Sequence, residues 1–311
     1  MTRPLVAFTS GDPWGVGPEV CLKAMRDARV RRALRPLAVG PRAAWEAAGW
    51  TPSVSALLDP GAPAGPVRRA ATALGGRASY EAVRLAASLC ARRLAAGFVT
   101  GPVSKEAWRL CGAPHLDHTG FIKAFTGARR VAMMLLGGPF RAVIATRHIP
   151  LKDVPRAVTA GAIAEAAELA HAALKDGLGL KRPRLALCAL NPHGGEAGLL
   201  GREELDRLAP AAARLRRRGL DLAGPVPADA AWAAQAAGRY DALVSLYHDQ
   251  ALIPLKAAAG YSIVNWTVGT PLVRTSPGHG TAYDIAGRGR ANPEAAVQAA
   301  LLAAQVARRT P

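Results

Sequence analysis

Short apolar runs alternate along this chain with longer stretches of helical period, and that alternation constrains the fold more than any other feature. Strand-like runs are predicted at 5–9, 97–100, 131–136, 141–146, 184–190, 220–223, 242–246 and 262–267. Helical stretches rich in Ala, Leu, Arg and Glu are predicted at about 18–26, 78–96, 161–178, 202–218, 228–237 and 293–309. Strands separated by helices pair in parallel through crossovers rather than as tight hairpins. The expected fold class is therefore α/β, doubly wound and largely parallel, with helices on both faces of the sheet. One exception is visible: Gly137, Gly138 and Pro139 interrupt two apolar runs and predict a hairpin. No internal repeat or shift of composition marks a linker.

The 311 residues allow one large α/β domain or two of moderate size, and at 50% apolar they exclude a disordered chain. No apolar run approaches the ~18 residues that span a bilayer. The start, Met1, Thr2, Arg3 and Pro4 followed by a few apolar residues, lacks a signal-peptide core. A cytoplasmic protein with no membrane partner is expected. The net charge is +18, yet the basic residues are scattered, mostly arginine, and densest at Arg214, Arg216, Arg217 and Arg218. Aromatics at 5% are poor for base stacking, so no nucleic-acid partner is expected and the excess reads as a solvated surface. Cys21, Cys90, Cys111 and Cys188 form no C-x-x-C pair and read as buried free thiols in a reducing compartment.

Ligands of open α/β sheets bind outside the carboxyl ends of the strands, and the polar residues of this chain collect there. Three predicted strands each deliver a histidine in the same topological place: His148, His193 and His248. Taken singly, each also reads as a hydrogen-bonded loop residue. Together, three neutral imidazoles with an open position suit a divalent ion that polarises a carbonyl or alkoxide. Lysines are scarce, and Lys256 falls near the end of a short helix beginning at the same rim. With Asn265 and Arg274 it could hold a phosphate or carboxylate, although each alone is compatible with a surface role. The first loop, Gly11 to Glu19, is glycine-rich but is not G-x-G-x-x-G, and its Asp12 could serve a ligand or cap the next helix. The glycine-rich stretch from His279 to Pro293 reads as a structural loop or as one whose amides approach a nucleotide. His118 and Thr119 read as a polar loop or helix start.

These segments, with Thr100–Lys105, His148–Leu151, Asn191–Glu196, Gly224–Asp229 and Tyr247–Gln250, resemble in order those of the 4-hydroxythreonine-4-phosphate dehydrogenases of pyridoxal-phosphate biosynthesis. The resemblance covers nearly the whole chain. It implies an isocitrate/isopropylmalate dehydrogenase-like fold, two α/β/α domains around a central cleft, and a homodimer with shared active sites. Residues 1–125 with 275–311 would form the first domain, on the cofactor side. Residues 126–274 would form the second, with the metal ligands and dimer interface.

By the same resemblance, His148, His193 and His248 are the ligands of a divalent ion (zinc, magnesium, cobalt or manganese). His118, Thr119, Lys256, Asn265 and Arg274 contact substrate. His279, Gly280, Thr281, Ala282 and Asp284 bind NAD or NADP, and Lys256 and Asp249 are catalytic candidates. The implied activity is oxidation and decarboxylation of 4-phosphohydroxy-L-threonine to 3-amino-2-oxopropyl phosphate. The chain departs from the family's usual residues at three places that bear on substrate identity. Trp14 replaces Ala, Asp117-His-Thr-Gly120 replaces Gly-His-Thr-Glu, and Gly278 replaces Asp. The alternatives are another substrate of the same class, a phosphorylated threonate or erythronate or a cis-dihydrodiol dicarboxylate, and, more distantly, a three-His metallohydrolase.

Overall fold

The computed structural model describes residues 2–61, 68–146 and 148–310. The chain divides into two compact units, Met1–Arg129 with Tyr261–Pro311, and Arg130–Gly260.

The first unit runs β1 (Leu5–Thr9), α1 (Gly17–Arg26), α2 (Ala28–Ala33), β2 (Arg35–Val39), α3 (Arg42–Ala47), β3 (Ala56–Leu58), α4 (Ala73–Ala91), β4 (Gly97–Thr100), α5 (Lys105–Leu110) and α6 (His118–Thr126). The second unit contributes β5 (Ala132–Gly137), β6 (Phe140–Ile144), α7 (Val154–Ala157), α8 (Ala160–Ala172), β7 (Arg184–Cys188), α9 (Ala209–Arg217), β8 (Asp221–Val226), α10 (Ala228–Ala236), β9 (Ala242–Ser245) and α11 (His248–Ala259). The chain then returns to the first unit with β10 (Val264–Val268), β11 (Arg274–Pro277) and α12 (Glu294–Ala307).

Strands of the first unit lie in the order β3-β2-β1-β4-β11-β10, parallel except for the β10–β11 pair. The period of two sends Ala7, Leu37, Val39 and Phe98 into a core with Ala82, Val83 and Ala86 of α4 and with Trp108 of α5. Residues of opposite parity face α12, as the Thr275 hydroxyl shows by donating to the Ala299 carbonyl at 2.8 Å. Helices therefore cover both faces, as expected for a parallel sheet.

The second unit orders its strands β5-β6-β9-β7-β8. The hairpin predicted at Gly137–Pro139 is present: β5 and β6 pair antiparallel and Gly138 takes a φ of 55°. The parallel neighbours β6, β9 and β7 end on one rim. All four cysteines are free, and burial pushes the thiols of Cys21, Cys90 and Cys188 up to about 12. No helix among the described residues is long and apolar enough to cross a membrane.

The division differs from the expected domain boundary of 126–274. Residues 261–274 belong to the first unit because β10 pairs with β11, and β11 pairs in turn with β4. Asn265 and Arg274 consequently lie in the first unit, whereas Lys256 lies in the second.

Candidate active site

In the second unit the three rim histidines ride on strand ends tied to one another. The amide and hydroxyl of Thr146, beyond β6, both donate to the Leu246 carbonyl beyond β9, at 3.1 and 2.5 Å. Buried Gln250 links that end to the next: its Oε1 accepts from the Leu246 amide at 2.7 Å, and its Nε2 donates to the Ala189 carbonyl at 2.8 Å. His148 and His248 come together, with ring centroids 5.6 Å apart and planes inclined by 41°. The Asp249 carboxylate lies 2.7 Å from His248 Nδ1. That contact orients the ring and leaves Nε2 for a ligand, as an outer carboxylate does for a metal-bound histidine.

His193 stands apart from this pair. Residues His193 (φ 53°), Gly194 (70°), Gly195 (83°), Glu196 (44°) and Ala197 (53°) form a left-handed turn. At the three non-glycine positions the conformation costs about 1–2 kcal/mol each. The imidazole is 75% exposed, with Nδ1 3.5 Å from Glu196 Oε1. Among the described residues no three His, Cys, Asp or Glu side chains are arranged to hold a metal. The structure thus brings two of the three expected ligands together. Their donor chemistry fits a divalent ion: two adjacent imidazoles, one already held by a carboxylate.

The first unit holds the anion-binding candidates. Arg274 on β11 is 1% exposed. Its Nε and Nη2 donate to Thr100 Oγ1 at 3.1 and 2.5 Å, and its Nη1 to Thr267 Oγ1 at 3.1 Å. Among the described residues no carboxylate bonds the guanidinium. Burial pushes its pKa down to about 9, against the pull of Asp117, so it remains cationic at neutral pH. His118 opens α6, edge-on to Trp108 at 5.3 Å, and its enclosed Nε2 has no partner. Desolvation, helped by the charge of Arg274, holds its pKa well below the usual value and keeps it neutral. Asn265 Oδ1 on β10 is likewise buried and unpartnered. A buried cation facing only hydroxyls, with two unsatisfied polar atoms in the same unit, is the signature of a site built for a ligand.

The unusual residues acquire structural reasons. Asp117 caps α6 by accepting from the Gly120 amide at 2.8 Å, so its carboxylate serves the helix end. The Trp14 indole is 1% exposed, lodged where a Cβ on Gly75 would come within 2.2 Å of it. It is a core residue. Gly278 packs so tightly on Ile263 that a Cβ would lie 2.7 Å from its side chain.

The loop that carries the cofactor candidates is fastened to the first loop and α1. The Val16 amide donates to the Thr281 carbonyl at 2.8 Å, and Tyr283 Oη donates to Asp12 Oδ2 at 2.7 Å. Glu19 accepts from the Ala291 amide at 2.9 Å, and Lys23 donates to the Gly289 and Ala291 carbonyls. Asp12 therefore holds this loop rather than the start of α1, which has no side-chain cap. His279 lies with Nδ1 3.0 Å from the Gly280 carbonyl, Ala282 is left-handed, and Asp284 is exposed. Lys256 is exposed in the last turn of α11, about two turns from His248.

The model of the family described as pyridoxal phosphate biosynthetic protein PdxA matches residues 53–303. The chain belongs to this family. The 4-hydroxythreonine-4-phosphate dehydrogenase of Geobacter metallireducens is 40% identical, the alignment covering 99% of this PdxA-family chain and 96% of the relative. The crystal structure of 4-hydroxythreonine-4-phosphate dehydrogenase from Klebsiella pneumoniae matches with a TM-score of 0.87 and 31% identity, covering 98% of this chain and 100% of that one. Isocitrate dehydrogenase from Methylococcus capsulatus, at 15% identity, a TM-score of 0.53 and coverage of 98% and 88%, shares the fold. The isocitrate dehydrogenase-like fold implied by the motifs of this PdxA-family chain is borne out. Sequence reasoning missed Gln250 and Tyr283, which reach partners in distant segments, Thr267, which meets Arg274 across the β10–β11 pair, and Glu204, which sits in a charged run resembling a solvated helix face.

Proposed function

We propose that this PdxA-family chain is a metal-dependent, NAD- or NADP-linked dehydrogenase that oxidises and decarboxylates 4-phosphohydroxy-L-threonine to 3-amino-2-oxopropyl phosphate. The observation that carries the reading is Arg274, a buried guanidinium with no hydrogen bond to a carboxylate among the described residues, beside a neutral His118 with a free ring nitrogen. A guanidinium gives a phosphate or carboxylate a planar fork of donors, and Lys256 adds a point charge. His118, Thr119 and Asn265 complete the substrate contacts.

His148, His193 and His248 would hold the divalent ion (zinc, magnesium, cobalt or manganese), and of these zinc suits imidazole ligands better than magnesium or manganese. When bound, the ion supplies Lewis acidity that lowers the pKa of the substrate hydroxyl and stabilises the enolate left by decarboxylation. Asp249 acts through His248, holding its ring in place. Lys256 donates a proton to the enolate carbon, and the proton of the substrate hydroxyl passes to solvent. The loop carrying His279, Gly280, Thr281, Ala282 and Asp284 would hold the nicotinamide cofactor, whose chemistry when bound is to take up a hydride from the substrate. Loss of carbon dioxide from the resulting β-keto acid then needs no further oxidant.

Exposed Leu151, Leu199, Leu200 and Leu205 of the second unit support a homodimer, and membership of a biosynthetic family supports a cytoplasmic enzyme. Burial of Trp14 favours the phosphorylated amino acid over a changed substrate, because the indole does not occupy ligand space. The test is nicotinamide reduction by metal-reconstituted protein offered 4-phosphohydroxy-L-threonine, phosphorylated threonate and erythronate, and a cis-dihydrodiol dicarboxylate. Turnover of the first, abolished by a chelator and restored by a divalent ion, is expected. Turnover of another substrate alone would overturn the substrate assignment, and hydrolysis without nicotinamide would overturn the reaction class.

A further inference from the structure

The turn carrying His193 has no strand ladder to hold it, and what holds it is a hidden carboxylate. Glu204 is 3% exposed. Its Oε1 accepts from the amides of Leu190 and Asn191, both at 2.8 Å, and its Oε2 accepts from Asn191 Nδ2 at 2.9 Å. The other hydrogen of that amide goes to Glu203 Oε2 at 2.7 Å. The turn is wrapped closely around the acid: a Cβ on Gly195 would lie 2.8 Å from Glu204 Oε2 and 2.9 Å from the Gly201 carbonyl.

No ion pair of Glu204 occurs among the described residues. A carboxylate buried without a counter-ion persists only where several N–H donors replace its water. These donors belong to the two residues that lead from β7 to Pro192 and His193. The ties described above continue through this point: Thr146 joins the end of β6 to that of β9, Gln250 joins β9 to β7, and Glu204 joins the end of β7 to the histidine turn.

We propose that Glu204 is a positioning residue which fixes the backbone at Leu190 and Asn191, the stem of the turn from which the His193 imidazole would reach a divalent ion. The inference rests on the proposed function, since it takes His193 to be a ligand. A side chain one methylene shorter would not reach all three donors. An amide in place of the carboxylate keeps an oxygen for the two backbone N–H groups but turns its NH2 toward Asn191 Nδ2, a donor facing a donor.

The variants Glu204→Ala, Glu204→Gln and His193→Ala test this, each titrated with cobalt while the absorption of the bound ion is followed. Thermal melting and amide exchange are measured on the metal-free proteins. Glu204→Ala is expected to weaken cobalt binding about 10–100-fold, to alter the cobalt spectrum, and to speed exchange at Leu190 and Asn191, with KM for the nicotinamide cofactor unchanged. Glu204→Gln is expected to fall between Ala and the parent, and it carries the test if the Ala variant does not fold. If His193→Ala weakens binding while both Glu204 variants keep the parental affinity and spectrum, the positioning role is overturned and the ligand assignment stands. If His193→Ala itself binds cobalt as the parent does, the ligand assignment falls and takes the positioning role with it.

Discussion

The candidate anion-binding group of the first unit and the histidine rim of the second are built in opposite ways. Arg274, Thr100, Thr267 and Asn265 stand on strands whose register places them, and the guanidinium is locked by hydroxyls from two neighbouring strands. The histidines stand past the strand ends, where no ladder reaches, and depend on ties from Thr146, Gln250, Asp249 and Glu204. One group is preassembled, whereas in the other only His148 and His248 meet. Side chains rooted in a sheet inherit its rigidity; side chains beyond it need a second set of residues to hold them.

The sharpest way to break this contrast is Arg274→Met. Removing the buried cation should cost about 3–4 kcal/mol of substrate interaction, roughly 100–1,000-fold in kcat/KM, while metal affinity stays at the parental level. A comparable fall in metal affinity, read by titration, would show that the two groups are not separable. Next in size, Asp249→Ala should weaken metal binding about tenfold or more because His248 loses the acceptor that orients it, with KM for the substrate little changed.

A third difference appears in acid. His118 has its pKa held below the ordinary 6.5 in the folded protein, so the unfolded chain binds the proton first as pH falls. Its contribution to stability is complete above about pH 6.5 and is lost below it, at up to about 1.4 kcal/mol per pH unit until the folded-state pKa is reached. His118→Gln should flatten that part of the melting temperature against pH; an unchanged slope would place the titration elsewhere. The smallest effect is expected from Tyr283→Phe. Loss of one hydrogen bond to buried Asp12 should cost about 1 kcal/mol in holding the cofactor loop, roughly a fivefold rise in the nicotinamide KM with kcat nearly unchanged.

The same contrast explains what could be read from sequence. The hairpin at Gly138, the histidines after β6, β7 and β9, and the Lys256 position near the end of α11 follow from local signals of turn residues and period. β11 was not legible, because Arg-Thr-Ser-Pro has little strand propensity and pairs only because β4 and β10 flank it. β2, beginning Arg35-Pro36, is disguised by its proline. In the site, residue types point to the candidate ligands, but their supports were silent. Glu204 looks like its charged neighbours Glu203 and Asp206 until the fold encloses it, and Trp14 looks like an intruder until Gly75 is found beneath it.

The interruption of the first unit has a consequence for synthesis on the ribosome. β4 ends at Thr100, and the strand that covers its free edge, β11, begins at Arg274. Roughly 170 residues, the whole second unit among them, must therefore be translated before that edge can be closed. At about 5–20 residues per second this lasts on the order of 10–30 s. Throughout that interval β4 presents an unpaired edge, the surface on which nascent chains most readily add a wrong strand. The second unit, continuous in sequence, carries no such delay, so all three rim histidines are in the growing chain while the candidate anion-binding group still waits for its arginine.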